Sequence, residues 1–353
     1  MKSLNLLIAV ILISFFSSCK EKNKAGVSSL TIATGQMPNI TKDIAGNLHL
    51  VYGNGDSIMY TYSSDGGVNF STPALINILQ GLAASHSRGP QIVASDKFLI
   101  VIASNKAGNI FSYQKEATGN WKAAMRVNDI DTVAKEGLTA LGADGLNCYA
   151  VWLDLRDGNN KIFGSGSNDG GKTWARNVLI YASPDTTVCE CCKPSVVMQG
   201  KNVYVMFRNW LNGNRDMYFT QSADTGNTFN AAKKLGAGSW ALNGCPMDGG
   251  GISIDNAGNL ATVWQRESKV FTCEPGKPEI ELGAGRGCSI ETVGKNKVYT
   301  WIEKDKVICV LPDGKKEFLG DGQQPVIKAI NDKQFICVWE NENEIHRSIV
   351  EIL

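Results

Sequence analysis

Four of the ten cysteines fall in two short segments, Cys189-Glu190-Cys191-Cys192 and Cys245-Pro246-Met247-Asp248. Three chemistries suit such a set. Cys189, Cys191 or Cys192 can form a disulfide with Cys245, as in many exported proteins. The thiolates, with the Met247 thioether, can hold a soft metal, copper(I) or zinc. They can also exchange electrons as thiols and disulfides. Trp210 and Trp240 add flat apolar faces beside polar loops. Cys148, Cys309 and Cys337 lie in strand-like runs and read as core thiols, whereas Cys273 and Cys288 flank a loop and are candidates to pair. No phosphate loop, dinucleotide fingerprint, zinc-protease helix or nucleophile elbow is present.

These residues need a scaffold of short strands and tight turns. Across 353 residues there are 37 glycines without a three-residue period, which excludes collagen and fits many turns. Thirty-five basic against 34 acidic residues leave a net charge of +1, with no bulk attraction for nucleic acid. One turn pattern recurs. Ser63 to Phe70, Ser167 to Trp174 and Ser222 to Phe229 each read S-x-D-x-G-x-x-aromatic. In each, the aspartate (Asp65, Asp169, Asp224) accepts turn amides, the glycine supplies a backbone position other residues resist, and the aromatic packs beneath.

A longer period runs through the whole chain. Strand anchors at Pro38, Pro90, Leu138, Pro194, Gly250, Cys288 and Pro325 recur about every 48 residues, within the range of propeller repeats. In six modules a large aromatic follows: Tyr52, Trp152, Phe207, Trp264, Trp301 and Trp339; the second module has Val101-Ile102. The period predicts an all-β propeller over residues 28–353, of seven blades, or six if the last modules merge. The last module has room for only three strands. The spare strand beginning at Ser29 is therefore expected to complete it and close the ring.

The three turns resemble the Asp-box, or BNR repeat, of the sialidase superfamily of β-propellers. The resemblance implies a face built from loops between blades, carrying Ser85 to Arg88, Lys135-Glu136, Cys189 to Lys193, Trp240 to Asp248, Arg286 and Gln323-Gln324. It implies that Arg88, Arg266 and Arg286 bind an acidic sugar, that Asp154, Glu136 or Glu267 serves as acid or base, and that Trp210 and Trp240 are sugar platforms. The expected function is recognition, extending to hydrolysis, of a glycan; a metal-handling propeller and a protein-interaction scaffold are the alternatives. The family's early arginine motif falls at the first anchor, where this chain reads Gln36-Met37-Pro38-Asn39-Ile40.

The first residues read as an export signal. Met1-Lys2 is basic, Leu4 to Phe16 is largely apolar and too short to span a bilayer comfortably, and small residues follow. Phe16-Ser17-Ser18-Cys19 resembles a bacterial lipoprotein cleavage site, which implies lipidation of Cys19, removal of residues 1–18, a polar tether over 19–27 and anchoring in the cell envelope.

Overall fold

The computed structural model describes residues 29–116 and 119–352. Its strands form seven four-stranded antiparallel sheets. Six are consecutive meanders whose innermost strands are Gln36–Lys42, Gln91–Ala94, Thr139–Asp144, Ser195–Gln199, Gly250–Ile254 and Arg286–Val293. The seventh is completed from the other end of the chain, in the order Gln323–Ala329, Gln334–Asn341, Glu344–Glu351 and Leu30–Thr34. Leu30 pairs with Arg347 and Thr34 with Glu344, so the first described strand closes the ring as the sequence predicts. Seven blades, rather than six, is the architecture found. The export signal, the tether and Cys19 lie outside the described residues.

The periodic aromatics explain why the sheets assemble as a ring. Seven apolar clusters are present, one at each interface between neighbouring blades. Tyr52, Trp152, Phe207, Trp264, Trp301 and Trp339 each belong to a different cluster, and Val101 takes the same place between blades 1 and 2. All six aromatics are at most 2% exposed. Fully burying such a side chain contributes roughly 1.5–3 kcal/mol, so one repeated residue per module supplies a contact at each interface. Cys148, Cys309 and Cys337 are buried in the same clusters or beside them as free thiols.

The three S-x-D-x-G turns join the third and fourth strands of blades 1, 3 and 4. In the first, Asp65 accepts the Asn69 amide at 2.9 Å, while Ser63 Oγ accepts the Gly67 amide at 2.8 Å. Asp169 and Asp224 accept the Thr173 and Thr228 amides in the same way. These turn donors hold the Asp65 and Asp224 carboxyls down at about 2, the Asn69 amide being the largest cause for Asp65 and the Ser222 hydroxyl for Asp224. Each turn also covers the preceding blade: Gly67 lies against Ile336, Gly171 against Ile100 and Gly226 against Tyr149. Strand register puts Ser63 opposite Leu48, which pairs with Lys42 at the far end of the innermost strand. The turns therefore occupy the end of the blades remote from the loops that carry the cysteines.

Candidate functional site

At the starts of the innermost strands, residues from all seven blades enclose an axial cavity of about 240 Å³. Its wall contains the side chains of Asn39, Ser87, Gln91 and Gln324, and two charged residues, Lys193 and Asp248. Lys193 Nζ donates to Gln91 Oε1 at 2.7 Å, which carries a cation from the loop before blade 4 across to blade 2. Burial pushes its ammonium down to about 8. Asp248 Oδ2 accepts the Gly287 amide at 2.9 Å; burial raises this carboxyl, and the positive charge of Arg208 opposes the rise.

Behind this wall, at the junction of blades 4 and 5, lie the clustered cysteines. Cys191 and Cys245 are joined by a disulfide. Cys189 and Cys192 are free and almost wholly buried, their sulfurs 3.2 Å apart, and Cys189 Sγ lies 3.9 Å from Cys191 Sγ. Two arginines stand beside Cys189. Arg215 Nη1 donates to its sulfur at 3.0 Å. Arg208 is 1% exposed and is clamped by three carbonyls, those of Asp248, Arg215 and Gln265. The Cys192 contact, then the charges of Arg208 and Arg215, lower the Cys189 thiol despite its burial. Cys192 goes the other way, raised by burial and by its neighbour's negative charge.

The Cys191–Cys245 disulfide is one of the readings open at the sequence level, and it engages two of the four sulfurs. The Sγ atoms of Cys189, Cys191 and Cys192 nevertheless lie within 4.8 Å of one another, the spacing of a three-sulfur group that a soft metal ion could bridge if the disulfide were reduced. Met247 is 45% exposed. Cys273 and Cys288, candidates for a second bridge, are not bonded to each other; both are free thiols.

The predicted sialidase-like set is dispersed. Arg88 donates through Nε to the Glu136 carbonyl at 2.5 Å and faces the Glu136 carboxylate at 3.6 Å. Arg266 makes a two-pronged pair with Glu279, at 2.9 and 2.7 Å, and stacks on Phe271. Arg286 opens the innermost strand of blade 6 and is exposed. None of the three lines the axial cavity. Asp154 is sealed from solvent, accepting the Trp152 indole at 2.8 Å and the Arg156 guanidinium at 2.9 Å. It holds a loop and has no access to a substrate. Glu267 sits exposed in a hairpin turn with positive φ, among the outer parts of blade 5. The two tryptophans do meet the cysteine site: the Arg215 guanidinium lies 4.8 Å from the Trp210 ring and that of Arg208 5.4 Å from the Trp240 ring.

Lys193 and Asp248 fall in the face loops expected from the sequence, but neither they nor Arg208 and Arg215 carry a site role there. The available signal was Arg208 at the end of the apolar run Val203 to Phe207, a charge in a strand otherwise made for burial.

No family model matches the chain, and no curated protein matches it. Solved structures do. The lectin BP39L of Burkholderia pseudomallei is 10% identical, with 91% of this chain and 97% of that one covered and a TM-score of 0.68. An ulvan lyase, described as a polysaccharide lyase bound to a GlcA-Rha3S disaccharide unit, is 12% identical over 92% and 96% of the chains, with a TM-score of 0.54. The Hadza microbial sialidase Hz136 is 12% identical over 90% of this chain and 66% of the other, with a TM-score of 0.52. At these identities the likeness is one of fold. The chain is an all-β, seven-bladed propeller whose structural neighbours include proteins that bind or process glycans.

Proposed function

We propose that this chain is an exported, lipid-anchored propeller that binds one sugar unit, or the end of a glycan chain, in the axial cavity without hydrolysing it. The observation that carries the reading is the composition of the cavity wall. Asn39, Ser87 and Gln324 present hydroxyl and amide groups that both donate and accept, the set a polyhydroxylated ring requires, with the charged residues Lys193 and Asp248 beside them and Gln91 holding Lys193 in place. The mouth of the axial space holds about 240 Å³, and the same innermost strands line a further space of about 490 Å³ beyond it. The mouth accommodates one ring or the end of a chain. The lectin, lyase and sialidase neighbours lend general support to a carbohydrate ligand.

Binding is preferred to cleavage on physical grounds. A sialidase-type site needs arginines converging on the substrate carboxylate and an acid beside the scissile bond. Here Arg88 and Arg266 engage separate carboxylates, Arg286 is exposed and does not line the cavity, and Asp154 is buried in an ion pair. Among the described residues that line this cavity Lys193 is the cation, so sugars bearing a carboxylate or sulfate are the preferred ligands. Lipid anchoring rests on the Cys19 segment, and labelling of the full-length protein with a palmitate analogue, abolished by Cys19→Ala, tests it. For the ligand, residues 20–353 are applied to a glycan array beside Lys193→Met. Retention on acidic glycans that the variant loses supports the reading; no retention on any glycan overturns it.

A further inference from the structure

The cysteine cluster contains both partners of a thiol–disulfide reaction in van der Waals reach: a buried thiol pair and a disulfide. We propose that Cys189, Cys192, Cys191 and Cys245 form a relay that moves a disulfide between the buried pair and the exposed pair, and so presents a reducing dithiol at the protein surface. This rests on the geometry of the cluster and is independent of the glycan reading.

Four geometric observations support it, and the electrostatics agree. Cys189 Sγ is 3.9 Å from Cys191 Sγ and 3.2 Å from Cys192 Sγ, so one sulfur contacts both the disulfide it would attack and the thiol that would resolve the product. Arg215 donates to Cys189 Sγ, placing positive charge where the attacking thiolate forms. Arg215 Nε is buried with no hydrogen-bond partner among the described residues, so this guanidinium has an unused donor beside the cluster. The two pairs also differ in access: Cys189 and Cys192 are 0% and 1% exposed, whereas Cys245 is exposed and Cys191 partly so. The opposed shifts of Cys189 and Cys192 agree with an attacking and a resolving thiol.

The chemistry balances within the protein. The Cys189 thiolate attacks Cys191 Sγ; a Cys189–Cys191 bond forms, the Cys191–Cys245 bond breaks, and its electron pair leaves on Cys245 Sγ, which takes a proton at the surface. Cys192 then attacks Cys189 Sγ; the Cys189–Cys192 bond forms, the Cys189–Cys191 bond breaks, and the Cys192 proton passes to the departing Cys191 sulfur. No electrons are gained or lost overall: the buried pair is oxidised to a disulfide and the exposed pair reduced to thiols. The Cys245 thiolate can next attack a disulfide on another exported protein, expelling one of its sulfurs, and Cys191 resolves the mixed disulfide. Two electrons pass to the partner, which becomes a dithiol, and this chain is left with both disulfides.

The test is disulfide mapping by mass spectrometry after acid quench and alkylation, with residues 20–353 equilibrated in glutathione buffers of graded oxidised-to-reduced ratio. The expected result is a mixture of Cys191–Cys245 and Cys189–Cys192 isomers at intermediate ratios, both bonds at the oxidised limit, and accumulation of Cys189–Cys191 in Cys192→Ser. Arg215→Gln should slow isomer exchange about tenfold and move its pH profile upward, with Arg215→Lys partly restoring it; a merely structural role would lower the unfolding midpoint without moving the profile. Because Cys192→Ser can fail to fold, Cys245→Ala is the second variant and should still form Cys189–Cys192 on oxidation. A single Cys191–Cys245 connectivity at every ratio, with Cys189 and Cys192 alkylated only after unfolding, would overturn the relay. So would zinc or copper copurifying in stoichiometric amount with all four sulfurs protected.

Discussion

Gly226 and Gly158 have the same backbone conformation, φ +85°, but opposite surroundings. A Cβ at Gly226 would lie 1.9 Å from Tyr149 Cε2 and 2.6 Å from two further ring atoms; at Gly158 it would meet nothing within 4 Å. Alanine at either position incurs the left-handed penalty, about 1–2 kcal/mol, and gains the same unfolded-state entropy. Only Gly226→Ala must also displace a ring. Tyr149 is 1% exposed, donates its hydroxyl to the Gly226 carbonyl at 2.9 Å, and packs edge-on against Phe229 of the same turn. Overpacking at such a site costs about 1–3 kcal/mol more. With the entropy gain of about 0.4–1 kcal/mol subtracted, the expected losses are about 0–1.6 kcal/mol for Gly158→Ala and about 1–4.6 kcal/mol for Gly226→Ala. Guanidinium unfolding of both variants, followed by tryptophan fluorescence, measures the gap. Equal losses would refute the argument that this glycine is required because the turn seats on the neighbouring blade.

Further expectations follow from other parts of the fold. The Asp65 and Asp224 carboxyls titrate lower in the folded than in the unfolded chain, so their stabilisation is full above about pH 4 and is lost as pH falls toward 2. The double variant Asp65→Asn/Asp224→Asn should show a flatter decline of thermal midpoint across that window, and an unchanged slope would count against it. Asp154→Asn removes one partner of a buried ion pair and should cost about 3 kcal/mol, while the protein that remains folded binds sugar as before. A loss of ligand binding without a loss of stability would reverse that assignment. Affinity for an acidic sugar, measured by calorimetry from pH 6 to 9, should fall as Lys193 loses its proton around pH 8; a flat profile would exclude Lys193 from the contact.

The blade count was legible because it is written in residues that act locally and repeat. One large apolar side chain per module fills each inter-blade cluster, and the S-x-D-x-G turns bring their own hydrogen-bond partners within four residues. The closing strand was legible from an arithmetic deficit in the last module. The site was less so, because several of its contacts join distant positions: Arg215 with Cys189, 26 residues apart, Arg208 with the Gln265 carbonyl, 57 apart, and Lys193 with Gln91, 102 apart. Asp154 looked like a catalytic acid by residue type. Its real partners, Trp152 and Arg156, lie two residues to either side and satisfy it completely enough to bury it. The three thiols of one loop could not be distinguished by spacing; what separates them is that Cys189 and Cys192 point into the blade junction while Cys191 meets Cys245.

A sugar bound on the axis of the propeller is the property from which the proposed function follows. A crystal structure of residues 20–353 soaked with the best acidic ligand from the array tests this most directly. The prediction is density for one sugar ring between Lys193, Gln91 and Gln324, with its acidic group toward Lys193 Nζ. Density for the ligand only on the outer faces of the blades, with an unfilled axial cavity, would contradict it.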